Sequence, residues 1–274
     1  MRPHIFYIFS SLALAAAGVA FLPVSNRHRT KVIVAAVLAL IPIMMKMLFS
    51  FFPLLEARIM PVSLYPLIQS EFWLPFAVLF FACAGHLVPA RNRRAVLIAV
   101  AVMVVVVVQQ TSWHLGRPDI YAYEGKMVDG VCHQTSPETC GAASMVTLLN
   151  TMGVQTTEGE MARLSMTAPR KGLSPHQAAY GLKTKLGRQG RPAHIAVMAP
   201  DLKDLRNLPG PFLVGIKFSS LENHMICVLQ TTCSALVVGD PLSFGRKYWT
   251  WEEFEKKWSG VVIVSRPSED RTGS

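Results

Sequence analysis

The chain has 274 residues, is 51% hydrophobic and 16% charged, and carries a formal net charge of +10. Residues 1–110 hold nine lysines and arginines against Glu56 and Glu71, and the remainder holds 18 basic residues against 15 acidic ones. The basic excess therefore lies mostly in loops between apolar segments, where it reports membrane topology and argues against a nucleic-acid face.

Four apolar runs come first: Ile5 to Leu22, Val32 to Leu55 interrupted by Lys46, Phe72 to Val88, and Ala95 to Val108. A bilayer core takes about 20 helical residues. The first two runs meet that length and the last two approach it with their flanks, so about four transmembrane helices are expected over residues 1–115. The first run also resembles a signal peptide, with Arg2 ahead of it and small residues near Ala20. Its continuation through FLPV and the charge pattern favour its retention. The basic clusters NRHRTK (26–31) and ARNRR (90–94) face the cytoplasm under the positive-inside rule. An even number of spans then puts the remainder of the chain outside. Lys46 is expected to snorkel to the outer interface.

From about Asp119 the pattern becomes that of a globular domain, taken as residues 119–270. TCGAASMVTLLNTMG has helical periodicity and a Gly153 stop. GLSPHQAAYGLKTKLG carries Ser174 as N-cap, Pro175 at the first helical position and Gln177 to complete a capping box. MARLSM is a further short helix, and His194 begins a strand. FLVGIKF (212–218), MICVLQT (225–231), ALVVGD (235–240) and VVIVS (261–265) read as strands. Helices followed by antiparallel strands make an α+β domain.

Cys140 stands at the start of the first of these helices. Unpaired N–H groups and the helix dipole favour a thiolate there, although a buried helix cysteine is the commoner occurrence. His224 opens an apolar strand in ENHMICVLQ, and Asp240 follows the next strand in VVGDPLSFG. If those strands form a hairpin through TTCSA, the two residues meet at one end of the sheet, and Asp240 fixes the tautomer and orientation of His224. Gln134, six residues before Cys140, is placed to give its amide to a developing oxyanion. His133 and His176 are read as loop and exposed helix residues. The tryptophans 249, 251 and 258 are read as packing. The five cysteines show neither CxxC nor zinc-ligand spacing, so no metal is expected. Cys83 is a packing residue. Cys132, Cys227 and Cys233 stay open between three unpaired thiols and one disulfide, with Cys132 to Cys233 the preferred pair.

Taken in order, HQTSPETCGAASMVTLLNTMG, GLSPHQAAYGLKTKLG, NHMICVL, the Asp240–Pro241 pair and the closing YWTWEEFEKKWSGVVIVS resemble the C39 family of papain-like cysteine peptidases, the bacteriocin-processing, double-glycine leader peptidases. The likeness covers nearly all of residues 128–265. It implies a papain-like fold of helices packed on an antiparallel sheet. It also implies Cys140 as nucleophile, His224 as proton shuttle, Asp240 as its orienting group, Gln134 in the oxyanion hole, and no cofactor.

The best-known members are N-terminal domains of ABC exporters, whereas here the apolar runs come first and no GxxxxGK[ST] phosphate loop occurs. The expected protein is a multi-pass protein of the bacterial cytoplasmic membrane. Its peptidase domain is outside and removes a leader from a secreted or membrane-associated peptide. A peptide substrate, the lipid bilayer and a separate exporter are its expected partners. Two rivals share the architecture: a catalytically silent module that binds a leader peptide for export, and an acyl or peptidyl transferase using the same thioester.

Overall fold

The computed structural model describes residues 29–51, 55, 62, 73–112, 119–167, 172–218, 223–243 and 245–267. It divides into two compact units, residues 1–53 with 66–117 and residues 54–65 with 118–274.

In the first unit the described residues form α1 (Arg29–Phe51), α2 (Trp73–Leu87) and α3 (Arg93–Ser112). Small residues line their contacts. Ala36 and Ala39 of α1, Ala77 and Ala82 of α2 and Val100 of α3 are buried, as is Cys83, and such residues let helix axes approach closely. Gly85 lies where an added Cβ would come within 3.2 Å of Val96.

The expectation of four membrane spans finds no support among the described residues. The first apolar run and the side chain of Lys46 lie outside the described residues. The other three runs are helical, but among the described residues no helix is long and apolar enough to cross a membrane. The uninterrupted apolar run of α1 lies between Lys31 and Lys46, α2 has 15 residues, and that of α3 lies between Arg94 and Gln109. Each falls short of the roughly 20 residues a bilayer core takes.

The second unit opens with a hairpin, β1 (Lys126–Val128) and β2 (Val131–His133), turned through Asp129 and Gly130. The helices α4 (Cys140–Thr151), α5 (Glu158–Leu164) and α6 (Pro175–Arg188) follow. A six-stranded antiparallel sheet then runs in the order β3-β8-β4-β5-β6-β7. Its strands are β3 (Ala193–Met198), β4 (Phe212–Lys217), β5 (Asn223–Thr231), β6 (Ala235–Gly239), β7 (Arg246–Thr250) and β8 (Trp258–Pro267), with α7 (Leu202–Arg206) and α8 (Trp251–Lys257) between strands.

Both faces of the sheet are covered, which explains its unbroken apolar runs. Val261 and Ile263 of β8 join a cluster with Leu148, Leu149, Leu182 and Leu186 of α4 and α6. Val262 and Val264 join Phe212, Ile226, Trp251 and Phe254 on the other face. The tryptophans are packing residues, Trp251 fully buried and Trp249 and Trp258 partly so.

The caps agree with the sequence. Gly153 ends α4 with φ +69°, and Ser174 with Gln177 closes a capping box on α6. His176, expected at the surface, is buried, because it falls on the same stripe of α6 as Ala179 and Leu182. All five cysteines are free. Cys132 is buried and Cys233 exposed, so the preferred disulfide is not formed.

Candidate active site

The chemistry-bearing residues come from three elements. Cys140 is the first residue of α4, after a single 3-10 turn over Pro137–Thr139. Neither Ser136 nor Thr139 caps α4 with its side chain. Thr139 is instead buried, and its hydroxyl donates to the Ser136 carbonyl at 2.8 Å. That ties the turn before the thiol into a fixed shape.

His224 and Asp240 meet through the β5–β6 hairpin, which pairs Cys227 with Gly239. The His224 Nε2 lies 2.7 Å from Asp240 Oδ1. Asp240 also accepts the Leu242 N–H at 3.0 Å on that same oxygen. Both side chains are nearly buried, and Phe218 lies against the imidazole with ring centroids 5.8 Å apart.

Burial works against a charge on His224. The hydrogen bonds to Asp240 and to Cys140, with the Coulombic pull of both, outweigh it and raise the ring from 6.5 to about 9. Since Nε2 is committed to Asp240, Nδ1 is the ring atom left for Cys140. Asp240 likewise resists burial. The hydrogen bonds from His224 and Leu242, then the charges of His224 and Lys247, hold its carboxyl below the ordinary range.

Gln134 follows β2. Its backbone N–H donates to the Pro241 carbonyl at 3.1 Å, which links the loop before Cys140 to the residue after Asp240. Its side-chain Nε2 donates to the Ser136 carbonyl at 2.9 Å. The amide has a second N–H. Its Oε1 is buried and accepts no hydrogen bond.

The sequence reasoning missed Glu158. It is fully buried and accepts from Thr135, the residue after Gln134. A signal was available, since Glu158 shares the helical stripe of Met161, Ala162 and Ser165, all buried. An acid on an apolar stripe is unusual enough to require a partner. No group of three or more His, Cys, Asp or Glu able to hold a metal occurs among the described residues.

The sequence profile of the Peptidase C39 family matches residues 129–270. The chain belongs to the Peptidase C39 family. The C39 domain is 24% identical over 140 residues to the lactococcin-G-processing and transport ATP-binding protein LagD of Lactococcus lactis subsp. lactis. That match takes in 51% of this chain and 19% of the relative, so the chain spans about a fifth of LagD. Among solved structures, the C39 domain is similar to the peptidase domain of Streptococcus ComA, a bifunctional ABC transporter involved in quorum sensing. That match has a TM-score of 0.44 and 23% identity, and covers 50% of this chain and 97% of that one. It is also similar to a double glycine motif protease from an AMS/PCAT transporter in complex with its leader peptide. There the TM-score is 0.43 with 18% identity, over 53% of this chain and 94% of that one.

Proposed function

We propose that the chain is a membrane-anchored cysteine endopeptidase that cleaves a leader or propeptide from a secreted or membrane-associated peptide. The observation that carries this reading is the 2.7 Å contact of His224 Nε2 with Asp240, on a ring whose proton affinity Cys140 also raises. A binding module needs no such arrangement of thiol, base and orienting acid.

In this mechanism the Cys140 proton passes to His224, whose raised proton affinity favours the transfer. Sγ attacks the scissile carbonyl carbon, and the C=O π pair moves to the oxygen. The free N–H of the Gln134 amide and a backbone N–H at the start of α4 stabilise that oxyanion. Collapse expels the amine, which takes the proton from His224 and leaves a thioester. Water then gives a proton to His224 and hydroxide to the acyl carbon, which frees the carboxylate and restores the thiol. Asp240 holds the ring for both transfers.

Membrane anchoring is supported by an exposed apolar face on the first unit. Ile33, Val34, Val37, Leu38 and Ile41 of α1 are each about half exposed, as are Ile98, Val102 and Val105 of α3. Such a surface needs a cover, and tilting or snorkelling ends let short apolar runs sit in lipid. Val62, on the segment between α1 and α2, is buried in the core of the C39 domain. Arg29, Lys31, Arg91, Arg93 and Arg94 lie at the helix ends away from that segment, which under the positive-inside rule supports a domain outside.

The test uses the full chain and a peptide substrate carrying a Gly-Gly cleavage site. Wild type is expected to cleave after the second glycine, and Cys140→Ala to lose turnover while keeping its Tm. Cleavage by Cys140→Ala at the wild-type rate would remove the assignment. A product joined to an added amine, in place of a free carboxylate, would favour the transferase.

A further inference from the structure

We infer that Glu158 is a positioning residue for the oxyanion side of this site, an inference that rests on the peptidase reading above. Its carboxylate is fully buried. Both oxygens serve one loop residue: Oε1 accepts the Thr135 N–H at 2.8 Å and Oε2 accepts the Thr135 hydroxyl at 2.6 Å. Thr135 stands between Gln134 and Ser136, and each neighbour is pinned elsewhere. Gln134 N–H donates to Pro241, on the far side of Asp240. The Ser136 carbonyl accepts the Gln134 side chain at 2.9 Å, the Thr139 N–H at 3.1 Å and the Thr139 hydroxyl at 2.8 Å. The Glu158 carboxylate thus acts one residue after the oxyanion amide, near the start of a loop that runs into Cys140.

The carboxylate itself has a fixed origin. Glu158 N–H donates to the Glu124 carbonyl at 3.3 Å and Gly159 N–H to the Tyr123 carbonyl at 2.6 Å, so the start of α5 is strapped to the segment entering the domain. Burying a carboxylate is costly unless its acceptors are used. Here the described donors all belong to the loop bearing Gln134, not to the core around it. The adjacent Cys132 takes no part in the chemistry. Burial, with the charge of Glu158 added, pushes its thiol up to about 12.

An oxyanion donor must sit within a fraction of an ångström of the developing charge, and a misplacement of about 1 Å can cost about 100-fold. The test compares two electrophiles on the full chain, with Cys140→Ala as blank. A peptide aldehyde ending in Gly-glycinal forms a hemithioacetal. The Cys140 Sγ–C bond forms, the carbonyl π pair goes to oxygen, and that oxygen takes the proton from His224 or stays anionic against Gln134. Iodoacetamide alkylates the same sulfur by displacing iodide and forms no oxyanion.

In Glu158→Gln the side-chain volume is kept, but an NH2 replaces one acceptor opposite a Thr135 donor. Aldehyde affinity is expected to fall roughly 10- to 100-fold, with the iodoacetamide rate at Cys140 unchanged. On Gln134→Ala the same substitution should add nothing further, because it acts through that amide. Thr135→Val removes one donor and leaves Glu158 in place. It should shift aldehyde affinity in the same direction by less, and it serves if Glu158→Gln does not fold.

Equal loss of both reactions, no loss of either, or a multiplicative effect with Gln134→Ala would each overturn the role of Glu158 while leaving the peptidase reading intact. If wild-type Cys140 reacted with neither probe, the peptidase reading would fall and this inference with it.

Discussion

The Ser144 hydroxyl, one turn beyond Cys140, donates to the backbone carbonyl of Met225, the residue after His224, at 2.9 Å. Both residues are buried and 81 positions apart in the chain. The helix bearing the thiol is therefore fastened to the strand bearing the imidazole beside Cys140 and His224.

Ser144→Ala leaves the Met225 carbonyl buried without that donor, at a cost of about 1–3 kcal/mol. The expected result is a lower Tm and a larger loss in kcat than in KM, read by urea unfolding and steady-state cleavage. Unchanged kcat with a lowered Tm would mean that the bond serves the fold alone.

Gln134→Ala removes the proposed side-chain oxyanion donor and should lower kcat by about 100- to 1000-fold. Tm should change little, since the main-chain bond to Pro241 remains. A change confined to KM would assign the side chain to substrate binding.

Stability should depend on pH through the His224–Asp240 pair. The folded ring keeps its proton to about pH 9 while the ordinary ring releases it near 6.5. Its contribution is fully present below 6.5 and drains away as pH rises through 9. Asp240 works in the opposite sense: its contribution is present above 3.8 and lost as pH falls through its lowered value. Tm should therefore decline between pH 6.5 and 9, and His224→Gln should flatten that decline. An equally steep fall in the variant would attribute it to other groups.

Gly159 tests the strap. A Cβ there would overlap the Tyr121 carbonyl, and backbone cannot yield as a side chain does. Gly159→Ala should cost about 1–3 kcal/mol and raise hydrogen exchange over residues 121–125. Wild-type protection of those amides would mean that the segment has another anchor.

A reporter fused behind Ser274 tests the orientation of the domain. The outside arrangement predicts that alkaline phosphatase is active there and green fluorescent protein dark, and the reverse pair would put the domain in the cytoplasm.

Where sequence and structure agree, short-range rules were in force. Ser174, Pro175 and Gln177 specify a helix start within four residues, and the β5–β6 hairpin brings His224 to Asp240 through one tight turn. Strand β7 was harder to see, since Arg246–Thr250 is almost wholly exposed and lacks an apolar period. Its pairing with β6, which is set by tertiary context, makes it a strand. Glu158 was hidden for another reason. Its partner Thr135 lies 23 residues away, and no local pattern in the chain announces that contact. In the first unit hydropathy marked the helices but overstated their apolar length, because Lys46 divides the run that appeared longest.

Strand β8 lies between β3 and β4 although it follows every other strand in the chain, and its alternate residues enter both apolar clusters. During synthesis the thiol of Cys140 leaves the ribosome more than a hundred residues before β8 does. Until β8 slots in, β3 has no neighbour in the sheet and neither cluster is closed. A nascent chain therefore carries the Cys140 thiol while still lacking the keystone of its framework. The order of translation thus delays assembly of the candidate site until the whole domain has emerged, so that any activity it has would be latent until then without an inhibitory segment.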